Sequence, residues 1–253
     1  AFERCDGVGG NWRFNDPSGH SSVFETTHII SSKYTSFYED YPLPDDASDY
    51  PSHKELLSYF DGYAEHFDIK KNIKFGTEVL SCKQLPNGRW LLKYKHLDGN
   101  DEITLEFDAL VVCNGHHHVP RYPQYKGEFS GEYIHSHDYK RAAPFENKRV
   151  LVIGGGNSAC DVAVETSRIS QETSLSWRRG YHLVPKFMYG LPADVFAKRS
   201  RWIPQFLRIP FMKYMLERYQ GKNEDIGLPK VTNKMLATHP TAVSYTHLRA
   251  HET

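Results

Sequence analysis

Six consecutive residues, Gly154-Gly155-Gly156-Asn157-Ser158-Ala159, are the densest chemical signal in this sequence. They match G-x-G-x-x-A, in which the first glycine permits a tight turn and the second lets a pyrophosphate approach the backbone. The small third residue lets a helix pack closely on a strand. The context agrees: the apolar run Arg149-Val150-Leu151-Val152-Ile153 precedes the turn, and Ala159, Val162, Ala163, Thr166 and Ile169 share one helical face after it. That placement leaves a helix N-terminus facing phosphate, so the expectation is a dinucleotide site at this turn.

The end of the next strand selects the dinucleotide. An acid there would accept the ribose hydroxyls of NAD, whereas Ser176-Trp177-Arg178-Arg179 offers two guanidinium groups and no carboxylate. This favours a 2′-phosphate, hence NADP. At the other end of the chain, Phe2-Glu3-Arg4 and then Gly7-Val8-Gly9-Gly10-Asn11-Trp12 read as the end of a second strand in another dinucleotide fold, with Glu3 placed for ribose hydroxyls. Such an acid lies about 20 residues after its glycine turn, so that turn is expected to precede Ala1.

These groups need elements to carry them. The 253 residues suffice for one large or two modest domains, and no apolar run approaches the roughly 18 residues that span a bilayer. Cys5, Cys82, Cys113 and Cys160 lie far apart with no CxxC, which points to a reduced, cytoplasmic setting. The zero net charge hides an asymmetry: residues 1–120 carry 11 Lys and Arg against 19 Asp and Glu, a net −8, and residues 121–253 carry 20 against 12, a net +8. The second half is therefore expected to meet something anionic.

Residues 1–50 read as irregular and suited to wrapping a ligand. A helix follows from the N-cap Ser52 to Asp68, with Leu56, Phe60, Tyr63, Ala64 and Phe67 on one face. Strands at 73–80, 89–94 and 103–107, separated by Pro86-Asn87-Gly88 and Asp98-Gly99-Asn100, read as an antiparallel meander. Leu110-Val111-Val112-Cys113 reads as a buried strand ending at Asn114-Gly115. A strand at 149–153, a helix at 157–169 and a strand at 175–177 make a βαβ unit, so the fold class is α/β.

Several segments resemble the flavin-containing monooxygenases in order and spacing. They are Glu3-Arg4 with Gly9-Gly10-Asn11-Trp12, then Asp40-Tyr41-Pro42-Leu43-Pro44, Asn114-Gly115-His116-His117, Phe129 to Tyr139 and the turn at Gly154. Residues 129–139 fit the family pattern F-x-G-x-x-x-H-x-x-x-Y at Phe129, Gly131, His135 and Tyr139. The related Baeyer–Villiger monooxygenases typically end that pattern in Trp, so Tyr139 favours the former group. The likeness runs from Phe2 to about Val243.

The resemblance implies two dinucleotide-binding, Rossmann-like domains, both incomplete: 1–142 for FAD, with the antiparallel meander, and 143–243 for NADP. Residues 244–253 resemble translated adapter sequence. It implies that NADPH reduces FAD, that the reduced flavin captures dioxygen as a C4a-hydroperoxide, and that a soft nitrogen or sulfur of a small-molecule substrate takes the oxygen. By carry-over, Glu3 and Arg4 lie at the FAD ribose, and Gly9, Gly10 and Trp12 along the flavin. Gly154, Gly156, Asn157, Ser158 and Ala159 hold the NADP pyrophosphate, and Ser176, Arg178 and Arg179 lie near the 2′-phosphate. His135 and Tyr139 organise the junction ahead of the NADP domain. Ile30-Ser31-Ser32-Lys33 stands where better-known members have Asn-Thr-Ser-Lys, the Asn touching the oxygenated flavin. Ser31, Ser32 and Lys33 are the catalytic candidates that remain.

Other signals read more blandly. Three adjacent histidines, His116 to His118, cannot all converge on one ion without unusual backbone geometry, so no metal is expected. Residues 177–222 hold ten Lys and Arg, two acids and ten aromatics. Without an RNA-binding motif, nucleic acid is not expected. The stretch reads as an insertion over the NADP site, with peripheral membrane contact through 202–216 as the alternative, although its prolines are expected to break an interfacial helix. The rival functions are a Baeyer–Villiger or N-hydroxylating relative, and a fragment that binds NADP without activity.

Overall fold

A computed structural model describes residues 1–232 and 241–243 of the chain, and the expected adapter-like tail at 244–253 lies outside them. The chain forms two compact units: residues 1–27 with 51–140, and residues 28–50 with 141 onward.

In the first unit, helix α1 (His53–His66) starts where local chemistry dictates. Ser52 Oγ accepts the Glu55 N–H while the Glu55 carboxylate accepts the Ser52 N–H at 2.7 Å, a reciprocal capping box. The helix buries His53, Leu56, Tyr59 and Ala64, so Tyr59 occupies the core side, and Phe67, expected on that face, is exposed. Strands β1 (Thr77–Gln84), β2 (Trp90–His96) and β3 (Glu102–Phe107) form the expected antiparallel meander in the order β1-β2-β3. Gly88, at φ 83°, supplies the left-handed turn between the first two strands, and Asn87 Oδ1 accepts the Arg89 N–H at 3.0 Å. Central β2 buries Leu92 and Tyr94, and Phe2 packs on Tyr94 with ring centroids 4.7 Å apart. The N-terminus is thereby pinned: Glu3 donates its N–H to the Lys74 carbonyl at 3.0 Å, and the Glu3 carbonyl accepts from Thr77 at 2.9 Å.

The expected buried strand at Leu110–Cys113 is not formed. The segment is irregular, with Val111 81% and Val112 70% exposed. An apolar run becomes a strand only against a neighbour that satisfies its amides, and among the described residues no strand pairs with this one.

In the second unit, β4 (Arg149–Ile153) and β5 (Glu172–Ser176) pair in parallel, Arg149 opposite Glu172 and Ile153 opposite Ser176, with α2 (Asn157–Ser167) as the crossover. The α/β class follows from this unit. Helix α2 covers one face with Cys160, Ala163 and Thr166. Leu151 and Ile153 on the other face are exposed, so β4 is half covered and not buried on both sides as its composition suggested. Short strands β6 (Leu183–Pro185), β7 (Phe187–Met188) and β8 (Leu191–Pro192) follow, then α3 (Ala193–Arg199), α4 (Gln205–Gln220) and β9 (Thr241–Val243), which pairs with β6. The prolines do not break the interfacial helix: Pro204 caps its start and α4 runs on through Pro210. Among the described residues, no helix is long and apolar enough to cross a membrane.

Residues 28–50 belong to the second unit. The reason is long-range hydrogen bonding: the Ser32 N–H reaches the Asp194 carboxylate, and the Tyr50 hydroxyl donates to the Lys186 carbonyl.

Candidate functional site

The glycine turn of the second unit has the geometry its sequence calls for. Gly154 adopts φ +139°, a conformation closed to other residues, and a Cβ on it would lie 3.4 Å from the Ala159 methyl, so helix and strand approach closely here. A Cβ on Gly155 would stand 2.4 Å from the Tyr181 ring, whereas one on Gly156 would meet nothing within 4 Å. Gly156 is the N-cap of α2 and has no side chain with which to cap it. The first turn, with Asn157 and exposed Ser158, therefore opens onto clear space beside a helix N-terminus, the arrangement a pyrophosphate needs.

Gly154 donates its N–H to the Ser176 carbonyl at 3.0 Å, extending the β4–β5 ladder into the turn. Exposed Arg178 and Arg179 follow directly, and the Arg179 guanidinium lies 5.7 Å from the Tyr181 ring centroid. The turn, Ser176 and the two arginines thus share one sheet edge.

In the first unit, one oxygen of the Glu3 carboxylate accepts the Cys5 N–H at 2.8 Å, fixing the acid at the strand end. Arg4 is engaged elsewhere, with Glu78 at 3.4 Å and the Ser18 carbonyl at 3.3 Å. Gly9 and Gly10 both have positive φ, 111° and 48°, and lead into a single 3-10 turn, Gly10–Trp12. A Cβ on Gly9 would strike Leu57 of α1 at 2.4 Å, while Gly10 faces open space. The acid and the open turn thus lie close together in sequence at the end of the N-terminal bridge to Lys74.

The 129–139 stretch ends in structural work. Tyr139 is buried edge-on to Phe24 at 5.4 Å, and Lys140 donates to the carbonyls of Ser21 at 2.6 Å and His137 at 3.0 Å. His135 Nδ1 accepts the His137 N–H at 3.1 Å.

Of the three catalytic candidates, one is buried and the other two are half exposed but hydrogen-bonded within their own segment. Ser31 Oγ is hydrogen-bonded to Ser36 Oγ at 2.6 Å, Ser32 is fully buried, and the Lys33 ammonium donates to the Asp45 and Ala47 carbonyls at 2.7 and 2.6 Å. Ile30, 54% exposed, is the side chain this turn presents.

Sequence reasoning did not single out a set of charged residues in the second unit. Asp161, on α2 five residues past Gly156, is partly buried, which pushes its carboxyl up, and the nearby His28 and Lys186 oppose that rise. Burial pushes the Lys186 ammonium down, opposed by Asp161. Burial also pushes the Asp194 carboxyl up, but hydrogen bonds from Thr35, Ser32 and Val195 outweigh it and hold the group below the usual carboxylate range. The available signal was an acid at 161 beside the apolar positions Cys160, Val162 and Ala163 of the helix.

The model of the flavin-binding monooxygenase-like family matches residues 1–241. Human (Homo sapiens) flavin-containing monooxygenase 5 is 37% identical over 257 residues, 95% of this chain and 48% of that relative. The chain spans about half the length of the curated relatives it matches. Among solved structures, the S-allyl-L-cysteine S-oxygenase from Allium sativum superposes with a TM-score of 0.65 at 28% identity, over 75% of this chain and 47% of that one. Cyclohexanone monooxygenase from Rhodococcus sp. Phi1, solved with NADP+, shares the fold at TM-score 0.66 and 17% identity, over 99% of this chain and 58% of that one. With a family match that takes in the Glu3 strand end, the 129–139 pattern and the Gly154 turn, the chain belongs to the flavin-binding monooxygenase-like family.

Proposed function

We propose that this chain carries the nucleotide-binding machinery of an FAD- and NADPH-dependent monooxygenase that oxygenates a soft nitrogen or sulfur centre of a small apolar molecule. The observation that carries the reading is the open Gly156 cap of α2 beside an acid-free edge bearing Arg178 and Arg179. When bound, NADPH supplies hydride and FAD supplies the activation of dioxygen. The chain's own residues bind and orient. In this reading the first unit holds FAD, with Glu3 at the ribose and Gly9, Gly10 and Trp12 along the flavin. The second unit holds NADP, with Gly154, Gly156, Asn157, Ser158 and Ala159 at the pyrophosphate and Ser176, Arg178 and Arg179 at the 2′-phosphate. In this reading both are Rossmann-like. Lys33 and Ser31 act by shaping their loop, because their polar atoms are engaged within it. Ile30 keeps that surface dry.

The names of the relatives support oxygenation at nitrogen or sulfur, and Tyr139 at the end of the 129–139 pattern favours that group over the Baeyer–Villiger enzymes. Peripheral contact with a membrane through 202–216 belongs to the same reading. Its support is the exposure of Trp202 (83%), Phe206 (74%) and Tyr214 (63%), bordered by Arg199, Arg201 and Lys213.

The test is turnover of the FAD-loaded protein under labelled dioxygen, with NADPH and either a thioether or a cyclic ketone. Labelled sulfoxide supports the proposal. Labelled lactone with no sulfoxide reassigns the protein to Baeyer–Villiger chemistry, and NADP binding without product leaves a binding module.

A further inference from the structure

Tyr181 touches both the glycine turn and the arginine edge of the second unit. Its ring lies against the backbone of Gly155, where an added Cβ would collide with ring atoms Cε2 and Cδ2. The same ring carries the Arg179 guanidinium over its face, 5.7 Å from the centroid and within the ~6 Å reach of a cation–π contact. Trp177 meets it edge-on, with ring centroids 5.7 Å apart at an interplanar angle of 86°, and Trp177 is itself packed against Cys160 of α2 and Leu183. The backbone here is fixed separately. Buried Asn223 donates from Nδ2 to the Tyr181 carbonyl at 2.9 Å and to the Pro229 carbonyl at 3.3 Å. Gly180 passes so close to the Pro229 and Lys230 carbonyls that a Cβ there would collide with both.

We propose that Tyr181 is a positioning residue for the 2′-phosphate: its ring holds the Arg179 guanidinium at a fixed place relative to the Gly154–Ala159 turn, so preference for NADP over NAD depends on an aromatic face at position 181. This rests on the nucleotide reading above. An exposed arginine samples many rotamers, and a ligand that uses it must first order it. The ring face narrows that freedom before the nucleotide arrives. Because the ring leans on Gly155, one side chain sets the spacing between the turn that receives the pyrophosphate and the charge that meets the 2′-phosphate. NAD carries a neutral hydroxyl at that position and gains nothing from an ordered guanidinium. Neither the glycine turn nor the arginine pair contains this residue, and a tyrosine two positions past Arg179 carries no signal of its role until the ring is seen on Gly155.

The experiment is calorimetric titration of the 253-residue chain with NADP and with NAD, in the parent, Tyr181→Phe, Tyr181→Leu, Arg179→Ala and the Arg179→Ala, Tyr181→Leu pair. Phenylalanine keeps the aromatic face, whereas leucine keeps apolar bulk against Gly155 and loses the face. Tyr181→Leu is expected to weaken NADP ~5-fold and to leave NAD within ~2-fold, and Tyr181→Phe to leave both within ~2-fold. In the Arg179→Ala background, Tyr181→Leu is expected to cost NADP less than ~2-fold, since the ring acts through the arginine. A leucine variant that weakens both nucleotides equally gives Tyr181 a merely structural role and overturns the proposal. So does an effect undiminished without Arg179, an unchanged NADP affinity in Tyr181→Leu, or a phenylalanine variant that loses the preference. A parent that binds NADP no more tightly than NAD overturns the nucleotide reading, and this inference with it.

Discussion

The backbone N–H of Gly154 donates to the carbonyl of Ser176 at 3.0 Å, which sets the first glycine of the turn beside the last residue of β5. In the proposed nucleotide reading, the 2′-phosphate is expected to meet Arg178 and Arg179, which come just after β5. NADP is expected to bind more tightly than NAD, and Arg178→Ala to weaken NADP ~10-fold, about 1.4 kcal/mol, with little change for NAD. Paired calorimetric titrations check this; equal affinities for the two nucleotides in the parent remove the assignment.

Ile30 is 54% exposed, and in the proposed reading it takes the place of an amide that would face the flavin. A sec-butyl group excludes water but donates no hydrogen bond to reduced oxygen. The FAD-loaded protein is expected to release more peroxide per NADPH than its Ile30→Asn variant. Simultaneous assays of NADPH consumption and peroxide, with and without a thioether, decide it. Equal coupling in the two forms means that position 30 does not meet the flavin.

Asp194 gives stability a pH dependence of known sign. Its folded carboxyl is held below the ordinary value of 3.8, so its contribution is present above that value and is lost as pH falls through the folded one. The difference in urea midpoint between the parent and Asp194→Ala is expected to be constant at neutral pH and to shrink below about pH 4. A difference that persists unchanged down to pH 2 places the effect in packing and not in the charge.

The exposed side of α4 offers a lipid test. The chain is expected to sediment with vesicles containing phosphatidylserine and not with phosphatidylcholine alone. An Arg199→Gln, Arg201→Gln pair should weaken binding by ~10-fold, and Phe206→Ser should weaken it at every lipid charge. Indifference to both changes sets the membrane reading aside.

What the sequence determined by itself is local. The Gly154–Ala159 turn, the capping box of Ser52 and Glu55, and the meander turn at Gly88 each depend on residues within a few positions of one another. Propensity, left-handed glycine and hydrophobic period therefore suffice to place them. Tertiary structure decided the rest. Ser32 and Asp194 are 162 residues apart, and His28 and Lys186 are 158 apart, so no local pattern assigns 28–50 to the second unit. Nor could local pattern show that Ser32 is fully buried, since a side chain's direction is set by the partners packed around it. Leu110–Cys113 has the composition of a strand, yet a strand exists only by pairing, and the hydrogen-bonding neighbour lies beyond what four apolar residues can specify.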